Sequence, residues 1–268
     1  MTTDMILNIQ HVRAFTGKNA KGNATGVCVL ENELPEAQML SIAKELDYPV
    51  TAFIQKGKPD RHNYAIRYFT PLMEITVCGH ASLAASKVIF SIEDSINAIL
   101  YTVNGSTVTA AKKGDLVMLA YPRYELQPIT VSGKLLHSLG LNEYATAGWC
   151  TELGCIFIEL NDAGVLRKVQ PVFKQLLEYG NGIEEIVITA ASDQPEYDYL
   201  LRAFCPWIGI DEDPATGSVH SILAHFWQKR LNKKHLNVYQ ASEAGGEAFI
   251  TAFEQHVGLS GRVEFIVQ

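Results

Sequence analysis

The sequence predicts an α+β fold of two similar lobes, each a mixed sheet that curves around one central helix. Each half of the chain carries many short strand-like runs but only one strongly apolar helix. The strands are therefore not separated by the regular helices of a doubly wound parallel sheet. Both apolar helices begin at a turn of small residues, one around Gly79 and the other around Gly217. These matching turns indicate an internal duplication. The duplication is weak, because few residues are identical between the halves.

Apolar periodicity predicts most elements of the first half. Strands are expected at 6–15, 26–30, 51–54, 64–69, 75–77, 98–103 and 117–121. A helix over 35–46 ends at Asp47-Tyr48-Pro49, because the residue before a proline resists the helical conformation. A second helix is expected over 79–90, and Asn104-Gly105 predicts the tight turn of a hairpin.

Residues 121–128 carry two prolines and predict a linker. This linker divides the chain into an N-terminal lobe over 1–120 and a C-terminal lobe over 121–268, whose last strands are free to return to the first lobe. In the second half, helices are expected at 133–139, 172–177 and from the 209–220 stretch to 228. Strands are expected at 146–150, 155–160, 185–189, 237–240, 248–253 and 262–267, and residues 199–204 lead into the 209–220 stretch.

The stretch 209–220 places three carboxylates, Pro214 and a small-residue turn before an apolar run. This order predicts a loop that enters a helix, with Pro214 in the first helical turn. Free N–H groups at such a helix start stabilise a bound carboxylate or phosphate. The alternative is an ordinary capped helix whose acids only offset the helix dipole. If the lobes face each other, both apolar helices would point into one cleft, which would suit a small dicarboxylate or amino-acid-like anion.

The composition limits the classes of function. A net charge of −7 and a pI near 5.6, without a stripe of basic residues, argue against nucleic acid as a partner. No apolar run reaches the roughly 18 residues of a membrane span, and the first residues lack a secretory signal. The five cysteines lack the CxxC spacing of zinc sites, and the apolar surroundings of Cys28, Cys150, Cys155 and Cys205 predict buried thiols in a cytoplasmic protein. No nucleotide-binding glycine loop and no histidine pair at metal spacing occurs, so neither a cofactor nor a metal is expected.

Several short motifs, in this order, are similar to those of one known family. They are Ala14-Phe15-Thr16, Gly22-Asn23, Arg67-Tyr68-Phe69-Thr70-Pro71, Glu74, Cys78-Gly79-His80-Ala81, Tyr121-Pro122-Arg123 and Glu212-Asp213-Pro214-Ala215-Thr216-Gly217-Ser218. Together they resemble the PhzF family, the phenazine-biosynthesis-like proteins that share the diaminopimelate epimerase fold. The resemblance implies two barrel-like lobes around central helices, an active site in the cleft between them, a cofactor-independent isomerase, and a homodimer.

The resemblance also assigns roles to residues of this chain. His80 falls on the cleft histidine of the family and Asp213 on its cleft aspartate. Gly79, Gly217 and Ser218 keep the anion-binding turns, and Asn23 is expected to join them in binding a small carboxylate substrate. The catalytic glutamate of the family corresponds to Val50, in Pro49-Val50-Thr51-Ala52-Phe53. Valine cannot carry a proton.

Two residues are candidates to replace the missing base. Asp47 lies three positions before Val50, although a helix stop is the alternative interpretation. Cys78 matches a catalytic cysteine of the related epimerases, and a helix N-terminus would lower its pKa. It has no cysteine partner at the facing turn, so a plain buried cysteine is the alternative.

Three functions remain open. The first is an isomerase that shifts a proton on a small carboxylate-bearing metabolite, with His80 and Asp213 at the reacting centre. The second is a catalytically silent binding protein that kept the cleft and lost the base. The third is a partner-binding protein whose cleft stays empty.

Overall fold

The computed structural model describes residues 8–56, 62–103, 106–180 and 182–267. The first half forms strands β1 (Ile9–Thr16), β2 (Asn23–Leu30), β3 (Val50–Lys56), β4 (Asn63–Phe69), β5 (Glu74–Ile75), β6 (Ala98–Val103), β7 (Ser106–Lys113) and β8 (Leu116–Pro122). The rest forms β9 (Gln127–Pro128), β10 (Thr146–Cys150), β11 (Cys155–Glu159), β12 (Glu185–Ala191), β13 (Tyr199–Cys205), β14 (Ile210–Asp213), β15 (His235–Gln240), β16 (Gly246–Ala252) and β17 (His256–Phe265). The helices are α1 (Glu36–Leu46), α2 (Gly79–Ile92), α3 (Gly133–Ser138), α4 (Ala163–Lys168), α5 (Phe173–Leu176) and α6 (His220–Leu231).

Seven strands of the first half of the chain and the last strand, β17, close into an eight-stranded barrel. Their order is β1-β2-β3-β4-β6-β7-β8-β17, and β17 returns to pair with β1. The pairs β2–β3 and β4–β6 are parallel, and the other pairs are antiparallel. The closing strand therefore comes from the far end of the chain, with Leu259 opposite Leu119 of β8 and Val263 opposite Ala14 of β1.

The second half repeats this arrangement. Its strands run β9-β10-β11-β12-β13-β15-β16-β17, with parallel pairs at the matching places, β11–β12 and β13–β15. The first part of β17 pairs with β16, and the later part pairs with β1. The predicted α+β class with two similar halves is confirmed. The division at 120 and 121 stays a prediction, because β17 contributes to both sheets.

Helix α2 runs inside the barrel and is buried along most of its length. An eight-stranded barrel has an interior that side chains nearly fill, so a helix fits only if its own surface is small. Small side chains meet this requirement at Ala81, Ser82, Ala84, Ala85 and Ser86. Ser82 and Ser86 donate hydrogen bonds to the carbonyl oxygens four residues earlier, at 2.7 Å each, which satisfies both hydroxyls in the apolar core.

Helix α6 holds the matching place in the second half. Trp227 stacks on Tyr199 at a ring separation of 5.3 Å and donates to Thr189. His220 lies buried at the start of the helix, 2.7 Å from the hydroxyl of Tyr199. Burial lowers the pKa of His220 to about 3, so its ring is neutral at physiological pH. The helix is thus fixed by aromatic packing and buried polar contacts.

The structure corrects several predicted elements. Helix α6 begins at His220 rather than at Pro214, because residues before Pro214 form β14 and pair with β13. The predicted linker is partly strand, since β8 extends into it and β9 pairs with β10. The short helix α4 and the strand β7 were not predicted. The Asn104-Gly105 turn lies outside the described residues, although β6 and β7 on either side of it pair antiparallel.

Gly79, the first residue of α2, meets Gly217 in the turn that leads into α6. A Cβ atom added to Gly79 would lie 2.5 Å from the Cα atom of Gly217, and one added to Gly217 would lie 2.7 Å from the Cα atom of Gly79. Neither backbone can move away easily, since both positions are buried between sheets. Glycine is therefore required at both turns for the two helix starts to approach each other.

We expect Gly79→Ala to lower the free energy of unfolding by about 1–3 kcal/mol, because the new methyl group must push the two helix starts apart. Gly133→Ala is the matched control. A Cβ atom at Gly133, the first residue of α3, meets nothing within 4 Å, so this change is expected to be neutral or to stabilise by about 0.4–1 kcal/mol. Urea denaturation measures both. Equal stability of the Gly79 variant and the wild-type chain would contradict the required close approach.

Candidate active site

A cavity of about 320 Å³ lies where the two central helices begin. We call it the central cavity. It is lined by both helix starts and by residues from both halves of the chain. The lining contains Val50, Cys78, Gly79, His80, Asp213, Gly217 and Ser218 of the predicted site, and it also contains Glu152, Glu184, Glu185, Cys205 and Ser221. The convergence of two helix starts on one site, expected from the small-residue turns, is therefore present.

The side-chain amide of Asn23 connects His80 to Asp213. Its Nδ2 donates to Oδ1 of Asp213 at 2.6 Å and to the carbonyl oxygen of Ala215 at 3.2 Å, and it lies 3.1 Å from Nδ1 of His80. The amide orientation is fixed because the carbonyl and carboxylate oxygens only accept hydrogen bonds. Asn23 is fully buried at the start of β2. It is not part of the described lining of the central cavity, and its contacts are with two residues that are, His80 and Asp213.

Asp213 is held on its other side as well. Thr216 donates from Oγ1 to Oδ2 of Asp213 at 2.6 Å. Gln240 binds the backbone on both sides of the turn, donating to the carbonyl oxygen of Asp213 at 2.6 Å and accepting from the Thr216 N–H at 2.7 Å. Nearby, Glu212 forms a bidentate ion pair with Arg202. Two of the three acids of this stretch, Glu212 and Asp213, thus have defined partners, so they do more than offset the dipole of α6.

Burial controls the protonation of the first-lobe groups. Burial lowers the pKa of His80 and so favours a neutral imidazole. The nearby Asp213 acts in the opposite direction, but its effect is smaller. Burial also raises the pKa of Cys78 well above its ordinary value, and Asp213 adds to the effect. The expected lowering of the Cys78 pKa by the helix start is therefore wrong. The His80 and Ala81 N–H groups do favour the thiolate, but the loss of solvent is the larger effect.

The remaining predicted residues divide into two groups. Val50 begins β3 and lines the central cavity with an apolar side chain, and half-buried Ser218 lines it from the turn before α6. Asp47 ends α1 in the left-handed conformation, with φ of 51°, and does not belong to the described lining of the cavity. Its position is that of a helix stop. All five cysteines are buried and free, which confirms the burial predicted for Cys28, Cys150, Cys155 and Cys205.

Glu185 is a cavity residue that sequence reasoning missed. It is 6% exposed at the start of β12, and the thiol of Cys205 lies 3.6 Å from its Oε1. Burial raises the pKa of Glu185 to about 8, and Asp213 contributes in the same direction. The sequence did offer a signal, since Glu185 opens a strand that is otherwise apolar. Nothing local to the sequence distinguishes it from the exposed Glu184 beside it.

The described lining of the central cavity is rich in acidic side chains. Its described lining includes four acidic side chains and no lysine or arginine. A bound carboxylate would therefore depend on backbone N–H groups at the helix starts, because no basic side chain in that lining is available to it. Within the described ranges, no group of three or more metal-ligating side chains is suited to holding an ion. None of the described helices has the length and apolar character that a membrane crossing requires.

Comparisons with known proteins identify the family and the fold of the chain. The family model of phenazine biosynthesis-like proteins matches residues 12–263. An uncharacterized isomerase of Halalkalibacterium halodurans is 32% identical over 98% of both chains, and the human phenazine biosynthesis-like domain-containing protein is 31% identical over 89% of both. The crystal structure of a PhzF family protein from Enterococcus faecalis superposes with a TM-score of 0.88 at 32% identity, covering 98% of each chain. The chain belongs to the phenazine biosynthesis-like, or PhzF, family.

Glu185 should make the stability of the protein fall as the pH rises. A carboxyl whose pKa is higher in the folded chain keeps its proton there longer than in the unfolded chain. Its contribution to stability is complete below the unfolded pKa of about 4.5, and it is lost as the pH rises toward 8. We therefore expect Glu185→Gln to gain stability relative to wild type over this interval, on the order of 4 kcal/mol at its upper end.

Urea denaturation at a series of pH values measures this difference. Glu143→Gln is the matched control, because it removes a carboxyl from an exposed position instead of a buried one. A difference between Glu185→Gln and wild type that stays constant from pH 4.5 to 8 would show that Glu185 is not the titrating group.

Proposed function

We propose that this protein is a cofactor-independent isomerase that moves a proton on a small carboxylate-bearing metabolite. The observation that carries the proposal is the convergence of two helix starts and the His80–Asn23–Asp213 connection on one cavity. Relatives that carry the name isomerase, such as the one from Halalkalibacterium halodurans, support the reaction class.

Substrate binding follows from the backbone. The first N–H groups of a helix have no partner within it, and the helix dipole adds partial positive charge at the same end. In the central cavity, the turns at Gly79 and at Gly217 bring two such ends together. A small carboxylate would accept hydrogen bonds from both, with the half-buried hydroxyl of Ser218 as a further donor.

Proton transfer follows from His80 and Asp213. A neutral imidazole has one nitrogen that accepts a proton and one that donates, so burial leaves His80 able to do either. Asn23 and Thr216 hold Asp213 in a fixed position, which leaves little reorganisation for the reaction itself. One of the two groups removes a proton from a carbon of the bound metabolite, and a proton is then returned to the same or a neighbouring carbon. The formula of the metabolite is unchanged.

Solvent deuterium uptake tests this function. The wild-type chain in D₂O is expected to introduce deuterium at a carbon of at least one compound among the common L-amino acids and the four-carbon dicarboxylates, followed by proton NMR. His80→Gln should slow this uptake about 10²–10⁴-fold, because it removes a group that transfers protons. His137→Gln, on the exposed end of α3, is the matched control and should retain the wild-type rate.

The silent binding protein predicts a different pattern. It would bind members of the same panel without exchange, and the affinity would not change in His80→Gln. Ser218→Leu, which places a larger side chain in the cavity lining, would abolish that binding in either case. Binding without deuterium uptake in the wild-type chain would therefore overturn the isomerase and favour the binding protein.

A further inference from the structure

Glu185 in the second lobe holds the place that Val50 holds in the first. Each is the first residue of its strand, β12 and β3, and each lines the central cavity. The residues that follow pair with phenylalanines of the next antiparallel strand, Ile186 with Phe204 and Thr51 with Phe69. The preceding strands, β11 and β2, are parallel to them in both lobes. The internal duplication thus presents two equivalent side-chain positions to the cavity, one apolar and one acidic.

The carboxyls around the central cavity differ in their hydrogen bonds and in their exposure to solvent. Both oxygens of Asp213 accept short hydrogen bonds, one from Asn23 and one from Thr216. Glu152 and Glu184 are exposed, so solvent surrounds them. Glu185 is buried, and the hydrogen bond described for it comes from the thiol of Cys205. A thiol is a weak donor, so this contact leaves the proton of the Glu185 carboxyl available for transfer.

We propose that Glu185 is a further acid/base residue of the central cavity, which delivers a proton to the bound metabolite. The inference rests on the proposed isomerase function. In the step, a C–H bond of the metabolite breaks and its proton passes to His80 or Asp213. The O–H bond of Glu185 breaks and a new C–H bond forms. The resting protein returns when the first base gives its proton to the Glu185 carboxylate through solvent.

The surroundings of Glu185 suit a proton donor. Burial keeps the carboxyl protonated at neutral pH, with a pKa of about 8. Burial also keeps His80 neutral, so the cavity offers an uncharged acid and an uncharged base at the same pH. The titratable groups that act on Glu185 or are acted on by it are Asp213, Glu184, Cys78, Cys155 and Cys205. Burial raises the pKa of each of the three thiols, so they stay uncharged at neutral pH.

Infrared spectroscopy tests the protonated carboxyl without any turnover. Wild-type protein should show a carboxylic acid C=O stretch that disappears with a midpoint near pH 8 and shifts when acetate is added as a probe. The band should be absent from Glu185→Gln. It should remain in Glu159→Gln, which removes a second buried carboxyl that Arg230 binds at 2.6 Å outside the cavity. A band that persists in Glu185→Gln, or that does not respond to acetate, would overturn the proposal.

Deuterium uptake then tests the catalytic role. Glu185→Gln should slow the exchange of the panel compound that the wild-type chain labels by about 10²–10⁴-fold, while leaving its affinity within a few-fold. Adding Val50→Glu to this variant should restore part of the rate, because the two positions are equivalent in the duplicated fold. Full activity of Glu185→Gln, or no recovery in a folded double variant, would overturn the assignment. A wild-type chain that labels no compound would instead overturn the isomerase, and the acetate response of the infrared band would still decide whether Glu185 meets the ligand.

Discussion

The backbone contact between Gly79 and Gly217 is the constraint on which the site depends. Helix α2 begins at this contact and the turn into α6 passes through it, so both helix starts line one cavity. Strand β17 supports the contact from both sides, since it pairs with β16 of the second half and with β8 and β1 of the first. The first-lobe His80 and the second-lobe Asp213 both contact one nitrogen atom, Nδ2 of Asn23.

Burial is the second physical factor that shapes the site. The imidazole of His80, the thiol of Cys78 and the carboxyl of Glu185 all favour their uncharged forms, because each has been removed from water. Uncharged groups leave the helix starts as the main source of positive potential in the cavity, which has no lysine or arginine in its described lining. In the proposed function, anion binding and proton transfer would therefore depend on the same exclusion of solvent.

The sequence predicted those features that local patterns determine. The apolar run after Gly79 and the small-residue turn before α6 were visible, and so were the duplicated lobes and the family. Strand β14 was missed because its acids suggest a loop, although Glu212 is held by Arg202 of the neighbouring strand β13. Glu185 was missed for a related reason. Its burial and its raised pKa arise from strands that are distant in sequence, and only the folded chain brings Asp213 and Cys205 to it.

The central claim is that the paired helix starts form one anion site, and an NMR titration of ¹⁵N-labelled protein with acetate tests it most directly. We predict that the amide resonances of Gly79, His80, Gly217 and Ser218 shift together, along one saturable curve, and that Gly79→Ala weakens this binding. Amides at only one of the two helix starts responding to acetate would contradict the claim. So would shifts confined to residues outside the central cavity.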